Sequence, residues 1–166
     1  MRFGNIKRRV VTFVLVSVML PAVPAMAAYE AYMTINGGKQ GRFKGESMTE
    51  RLPVTGVSHD VTMSSRMLNG KRQHGSLTIT RKIDKASPML MQAMTTHELL
   101  SDVTIVFLGS GAGAGKVART INLKNAMITA DRRSRLNEEI TIEYDTIQVT
   151  QAGGKTSAAD DWEGSK

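Results

Sequence analysis

The chain has 166 residues, no cysteine and a formal charge of +7. That length suffices for one domain with a real core, and the lack of cysteine excludes disulfides, a thiolate nucleophile and any cysteine-ligated metal. The charge is uneven: Arg2, Lys7, Arg8 and Arg9 stand in the first 28 residues, which hold no acid, leaving 18 basic against 15 acidic residues beyond them. A surplus of three is an ordinary solvated surface and gives no reason to expect nucleic acid as a partner.

The first residues have the pattern of a secretory signal peptide. A positive region ends at Arg9, an apolar run covers residues 10–20, and Ala25-Met26-Ala27 fits the small-x-small cleavage rule. The cleavage region is therefore Ala25, Ala27 and Ala28. The apolar run is too short to span a bilayer as a permanent helix, so no stable membrane insertion is expected.

Residues 28–35 alternate as a strand and end in Asn36-Gly37-Gly38, a turn that favours positive φ. Residues 39–44 bring three cations and read as a solvated loop. A second strand region covers 52–64, broken at Pro53 and Gly56, with Val57, His59, Val61 and Met63 on one face. No second histidine, carboxylate or nucleophile can be placed beside His59, so it reads as a packing histidine. Residues 66–75 are long, basic and flanked by turn residues, a surface loop.

Residues 77–94 combine two periods. Leu77, Ile79 and Arg81 alternate with Thr78 and Thr80 as a strand, then Ser87-Pro88 starts a helix, with Ser87 placed to cap and Pro88 in the first turn. Met89, Leu90, Ala93 and Met94 form its apolar side. Two or three turns of helix do not stand alone in water and need packing.

Two further strands, residues 103–108 and 117–123, are joined by Gly109-Ser110-Gly111-Ala112-Gly113-Ala114-Gly115-Lys116. This is not a phosphate loop. Ser110 stands where glycine is required, Val117 where Ser or Thr is required, and a strand follows where a helix must begin. Residues 126–130, a polar turn at 131–137 and residues 138–150 complete a last hairpin. Ile140, Ile142 and Tyr144 share one parity, Ile147 and Val149 the other, which implies a bulge or bend. From residues alone the expectation is an antiparallel β-barrel or sandwich with one short helix.

Lys82-Ile83-Asp84-Lys85-Ala86-Ser87-Pro88-Met89-Leu90 resembles the signature of the Hcp family, the tube protein of the bacterial type VI secretion system. Gly45-Glu46-Ser47 after the first strand, Glu139-x-Thr141-Ile142-x-Tyr144-x-x-Ile147 near the end, and a tail with Trp162 are similar to the family as well. The resemblance implies two packed antiparallel sheets forming a β-barrel with one short α-helix. It implies a homo-hexameric ring that stacks into a tube, expelled by a sheath behind a spike and carrying effectors in its lumen. It also implies a stacking role for the loop that holds Arg66, Lys71 and Arg72.

The domain expectation is a leader or misassigned extension over 1–27, a barrel domain over 28–150 and a flexible tail over 151–166. Family members assemble in the cytoplasm without a leader, and Met26-Ala27-Ala28-Tyr29 resembles their usual start, so translation from Met26 competes with export from Met1. The rival reading is an exported periplasmic or surface β-barrel that binds a ligand as a monomer. A hydrolase built on His59, His74 or His97 is a third reading. No catalytic constellation, cofactor site or metal site is visible, and the expectation is a protein that is not an enzyme.

Overall fold

Alternation of β-branched and apolar residues with polar ones sets the architecture. The computed structural model describes residues 30–63, 72–151 and 157–161. In chain order the strands are β1 (Glu30–Gly37), β2 (Gly41–Arg42), β3 (Leu52–Val54), β4 (Gly56–Met63) and β5 (Arg72–Lys82). The helix α1 (Ser87–Thr95) follows, then β6 (Leu100–Leu108), β7 (Val117–Arg133), β8 (Asn137–Glu143), β9 (Thr146–Gln151) and β10 (Ser157–Asp161). The chain is mainly β with one α-helix among the described residues, in agreement with the expected class.

All the ladders are antiparallel and belong to one connected sheet with the order β2-β1-β6-β7-β8-β5-β4. Strands β3, β9 and β10 attach to β1, β7 and β9 respectively. The long strand β7 turns the sheet over on itself: residues 119–124 pair with both β6 and β9, while residues 127–133 pair with β8. Between them Asn125 adopts φ 50°, a left-handed conformation that asparagine tolerates better than most residues. Met33, Ile35, Leu77, Ile79, Ile105, Ile121, Leu123, Ile140 and Ile142 are almost fully buried in a single core.

Thr55 separates β3 from β4. Its N–H and hydroxyl both reach Thr80 O, at 2.8 and 3.0 Å. The ladder that β3 shares with β1 thus stops one residue before the ladder that β4 shares with β5. The sheet curves back at this bend without being closed by an unbroken ladder.

Several local expectations change. Residues 124–125 do not separate two strands; β7 runs through them with a bend. The change of parity after Tyr144 marks the break between β8 and β9, where the chain moves from the second half of β7 to its first half. Within the stretch read as a tail, Ser157–Asp161 pairs with β9 as β10. Gly75 and the residues back to Arg72 belong to β5, and Arg72 pairs with Met63. Arg66 and Lys71 lie outside the described residues, as do Ala25, Ala27 and Ala28.

The helix begins where Ser87-Pro88 places it, but Ala86 is the N-cap and no side chain caps the first turn. The Ser87 hydroxyl points into the protein instead. Leu90 and Ala93 are fully buried, Met89 and Met94 are half-buried, and α1 packs against β7. At the other end Glu98 N–H bonds Ala93 O at 2.8 Å while His97 takes φ 49°, a closure that usually uses glycine. Because so short a helix depends on its packing, Leu90→Ala is expected to cost about 2–5 kcal/mol. Denaturant unfolding measures that loss, and amide exchange should show the α1 protons losing protection before those of β6 and β7.

Candidate functional site

Leu77, Ile79 and Arg81 share a face of β5, and Glu138, Ile140 and Ile142 share a face of β8; both faces point into the core. Each strand therefore ends by burying a charge. Arg81 and Glu138 are register partners, and Glu138 is also opposite Arg133 of β7, so the three charges form a row across three strands. Arg81 Nη1 meets Glu138 Oε1 at 2.7 Å and Arg81 Nη2 meets Asp84 Oδ2 at 2.5 Å, with the Arg81 and Glu138 side chains 1% and 0% exposed.

Residues 83–88 of the Lys82–Leu90 motif close this row. Asp84 Oδ1 accepts from Ala86 N–H at 2.8 Å, and Ser87 Oγ accepts from Asp84 N–H at 3.0 Å while donating to Glu138 Oε1 at 2.9 Å. Arg133 Nη2 donates to Ser87 O and to Asp131 Oδ2, at 2.8 and 2.7 Å. Gly45 lies against the same group: a Cβ there would stand 2.8 Å from Asp84 Oδ2 and 2.9 Å from Leu52 Cδ2. Thus the Gly45-Glu46-Ser47 segment and the Lys82–Leu90 motif meet in space. Burial above all, with the charge of Asp131, pushes the Glu138 carboxyl up, against the pull of Ser87, Arg81 and Arg133.

A second buried carboxylate, Glu98, fixes the turn between β1 and β2. Its Oε1 accepts from Lys39 N–H and Gln40 N–H, both at 2.7 Å, and its Oε2 from Gln40 Nε2 at 2.8 Å. Gln40 Nε2 also reaches Met89 O at 3.0 Å, tying the turn to α1. Gly37 is needed here, because a Cβ would lie 2.5 Å from Glu98 Oε1. Residues 39 and 40, read from sequence as solvated loop, thus have their backbone held by a buried acid. Burial acts to raise the Glu98 carboxyl, but the hydrogen bonds from Gln40 and Lys39 outweigh it and hold it below the ordinary range.

The outer face of β1, β6 and β7 carries a polar depression of about 360 Å³ lined by Thr34, Asn36, Arg42, Glu50, Asp102 and Lys124. Its charges are paired, Arg42 with Glu50 and Lys124 with Asp102. Asp102 also accepts from Asn122 and Thr104; together with Lys124 these bonds overcome the effect of burial and lower its carboxyl. His59 Nε2 lies 2.6 Å from Tyr144 Oη, a packing contact between β4 and the end of β8. His97 is exposed after α1, and the side chain of His74 lies outside the described set. Among the described residues no group of acids and histidines is arranged to hold a metal, and no helix is long and apolar enough to cross a membrane.

The sequence alone gave no role to Arg81, Glu138 or Glu98. For the first two a signal existed, since each is a charge at the core parity of an apolar strand. For Glu98 none did, because it lies outside any periodic element.

Comparison with known proteins adds four findings. The family described as "Type VI secretion system effector, Hcp" matches residues 32–151. The major exported protein of Pseudomonas aeruginosa is 30% identical over 165 residues, covering 81% of this chain and 96% of that protein. Among solved structures, the secreted protein Hcp3 of Pseudomonas aeruginosa superposes with a TM-score of 0.70 at 31% identity, covering 80% of this chain and 99% of that one. A further Hcp crystal structure reaches 0.72 at 22% identity, a likeness of fold alone, over 81% of this chain and 98% of that one.

Glu98→Gln tests the turn anchor. A carboxyl held low contributes stability above its unfolded value and loses it as pH falls through its folded value. The substitution is expected to cost about 1–3 kcal/mol near neutral pH. Unfolding curves of the two proteins should converge as pH drops below about 4.

Proposed function

The chain belongs to the Hcp family and is a subunit of the type VI secretion tube, and from this premise we propose that six copies close into a ring and that rings stack through the segment holding Arg66, Lys71 and Arg72. The match of residues 32–151 to the family carries the reading. The meeting of Gly45 with Asp84 supports it, since two segments picked out by resemblance form one buried contact. The tube is the part that a sheath and spike expel, and its lumen carries effectors. Its role is structural and calls for no catalytic step or cofactor. The rival expectation of an exported monomeric binding protein has no support among the relatives.

Ring closure also suits the edges of this sheet. Strands β4 and β10 each have one flank without a ladder partner among the described residues, and an exposed flank is a template for unwanted pairing unless a neighbour covers it. A closed ring of identical subunits provides such neighbours. Native mass spectrometry of the chain from Ala28 onward is expected to give a hexamer. Replacing Arg66, Lys71 and Arg72 together by Glu should leave that hexamer intact and remove stacked tubes from electron micrographs. A monomer, or tubes that survive the triple change, contradicts the corresponding half of the reading.

The protein is exported, and the route we propose is the tube itself, with assembly in the cytoplasm and translation beginning at Met26. Eliminating the Met1 start codon should leave type VI-dependent secretion intact, whereas Met26→Leu should abolish it. The reverse pair of outcomes, with the protein recovered from the periplasm of a sheath-deficient strain, favours a cleaved leader at Ala25, Ala27 and Ala28.

A further inference from the structure

We propose that Glu138 is a proton-binding site: one proton resides on its Oε2, and the protonated form is the one in which the start of α1 is fully seated on the sheet. The balance of charge around it carries the proposal. The groups facing Glu138 are Arg81 from β5, the Ser87 hydroxyl from α1, and Asp131 and Arg133 from β7, while Asp84 from the connection to α1 shares the Arg81 guanidinium. Two cations therefore face three carboxylates. The side chains of Arg81, Glu138, Asp131 and Asp84 are 1%, 0%, 2% and 8% exposed, so water does little to disperse the surplus charge.

Hydrogen bonding identifies the surplus acid. Arg81 divides its guanidinium between Glu138 and Asp84, and Arg133 directs Nη2 and Nε to the two oxygens of Asp131. Arg133 Nε comes no closer to Glu138 Oε2 than 3.7 Å. Glu138 Oε1 already accepts from Arg81 and Ser87, while Oε2 has no hydrogen-bond partner among the described residues. A proton taken from solvent can add to Oε2 without breaking either bond. When it returns to solvent, the restored charge repels Asp84 and Asp131. These are the residues that hold Ala86 N–H directly and Ser87 O through Arg133.

Burial displaces the Glu138 carboxyl upward, in the direction that the charge balance requires. An acid raised on folding contributes stability that is full below its unfolded value and is lost as pH rises through its folded value. Glu98 and Asp102, both lowered, act in the opposite sense at the acid end.

Denaturant unfolding of the full chain at fixed concentration, from about pH 5 to about pH 8, reads this linkage directly. In the unaltered protein the unfolding constant is expected to rise by up to about tenfold per pH unit above the unfolded value of the Glu138 carboxyl, levelling off once Glu138 has titrated in the folded chain. Glu138→Gln retains an oxygen for Arg81 and Ser87 and should remove that component of the slope. Asp131→Asn frees Arg133 for Glu138 and should move the window to lower pH. A carbon-13 titration of glutamate carboxyls in the unaltered chain should show one resonance titrating above the ordinary range. Exchange of the first α1 amides, corrected for base catalysis, should accelerate with the same midpoint. An unchanged slope in Glu138→Gln overturns the proposal. So does a loss of stability equal at every pH, or glutamate resonances confined to the ordinary range.

Discussion

The fold depends on one buried arginine. Arg81 occupies a core position of β5 because parity sends it there, and a guanidinium removed from water costs several kcal/mol unless its donors are met. Glu138 and Asp84 meet its two terminal nitrogens from two directions, leaving Nε without a hydrogen-bond partner among the described residues, and Ser87 adds a second donor to Glu138 Oε1. The helix start, the β5–β8 ladder and the bend at Asp84 are consequently fixed together. A charged pair of this kind need not stabilise more than well-packed apolar residues would. Its effect here is geometric: it ties the start of α1 to both β5 and β8.

That placement organises the other end of the helix. Glu98, just past α1, reaches back to the turn between β1 and β2, and Gln40 returns the contact to Met89 O. Buried carboxylates thus lock α1 to the rest of the chain near both of its ends, one through side chains and one mainly through backbone amides. The two differ in their response to protons because their partners differ. Glu98 is met by three donors and no second acid, whereas Glu138 shares its cations with Asp84 and Asp131.

For a tube subunit, rigidity at these joints has an evident use. A tube wall keeps its shape only if its strands do not slip, and register is firmly set where a buried face accompanies each ladder. Strand β7 ties the sheet together, because its first half pairs with β6 and β9 and its second half with β8, so any slip would displace both at once. The outer face adds a lattice of short polar contacts, Thr104 and Asn122 with Asp102 and Lys124 with the same carboxylate, that resist shear between β6 and β7.

The sequence by itself determined the strand-rich class, a short helix starting at Ser87-Pro88 and running to Met94, the hairpin at Gly109–Lys116 and the family. All of these rest on short-range periods or contiguous motifs, which a linear reading can reach. It also placed Leu90 and Ala93 inward and rejected a phosphate loop, since a strand follows Lys116. Only the tertiary structure decided the rest. That Ser87 bonds Glu138 instead of capping its helix follows from the approach of β8, 51 residues away in the chain. That β7 bends at Asn125 without ending, and that Glu98 holds residues 39 and 40 at a distance of 59 and 58 positions, are likewise products of long-range pairing. Charges at core parity were visible on both β5 and β8. Their meeting depended on strand order, and order depends on which faces bury each other, a condition no local pattern encodes.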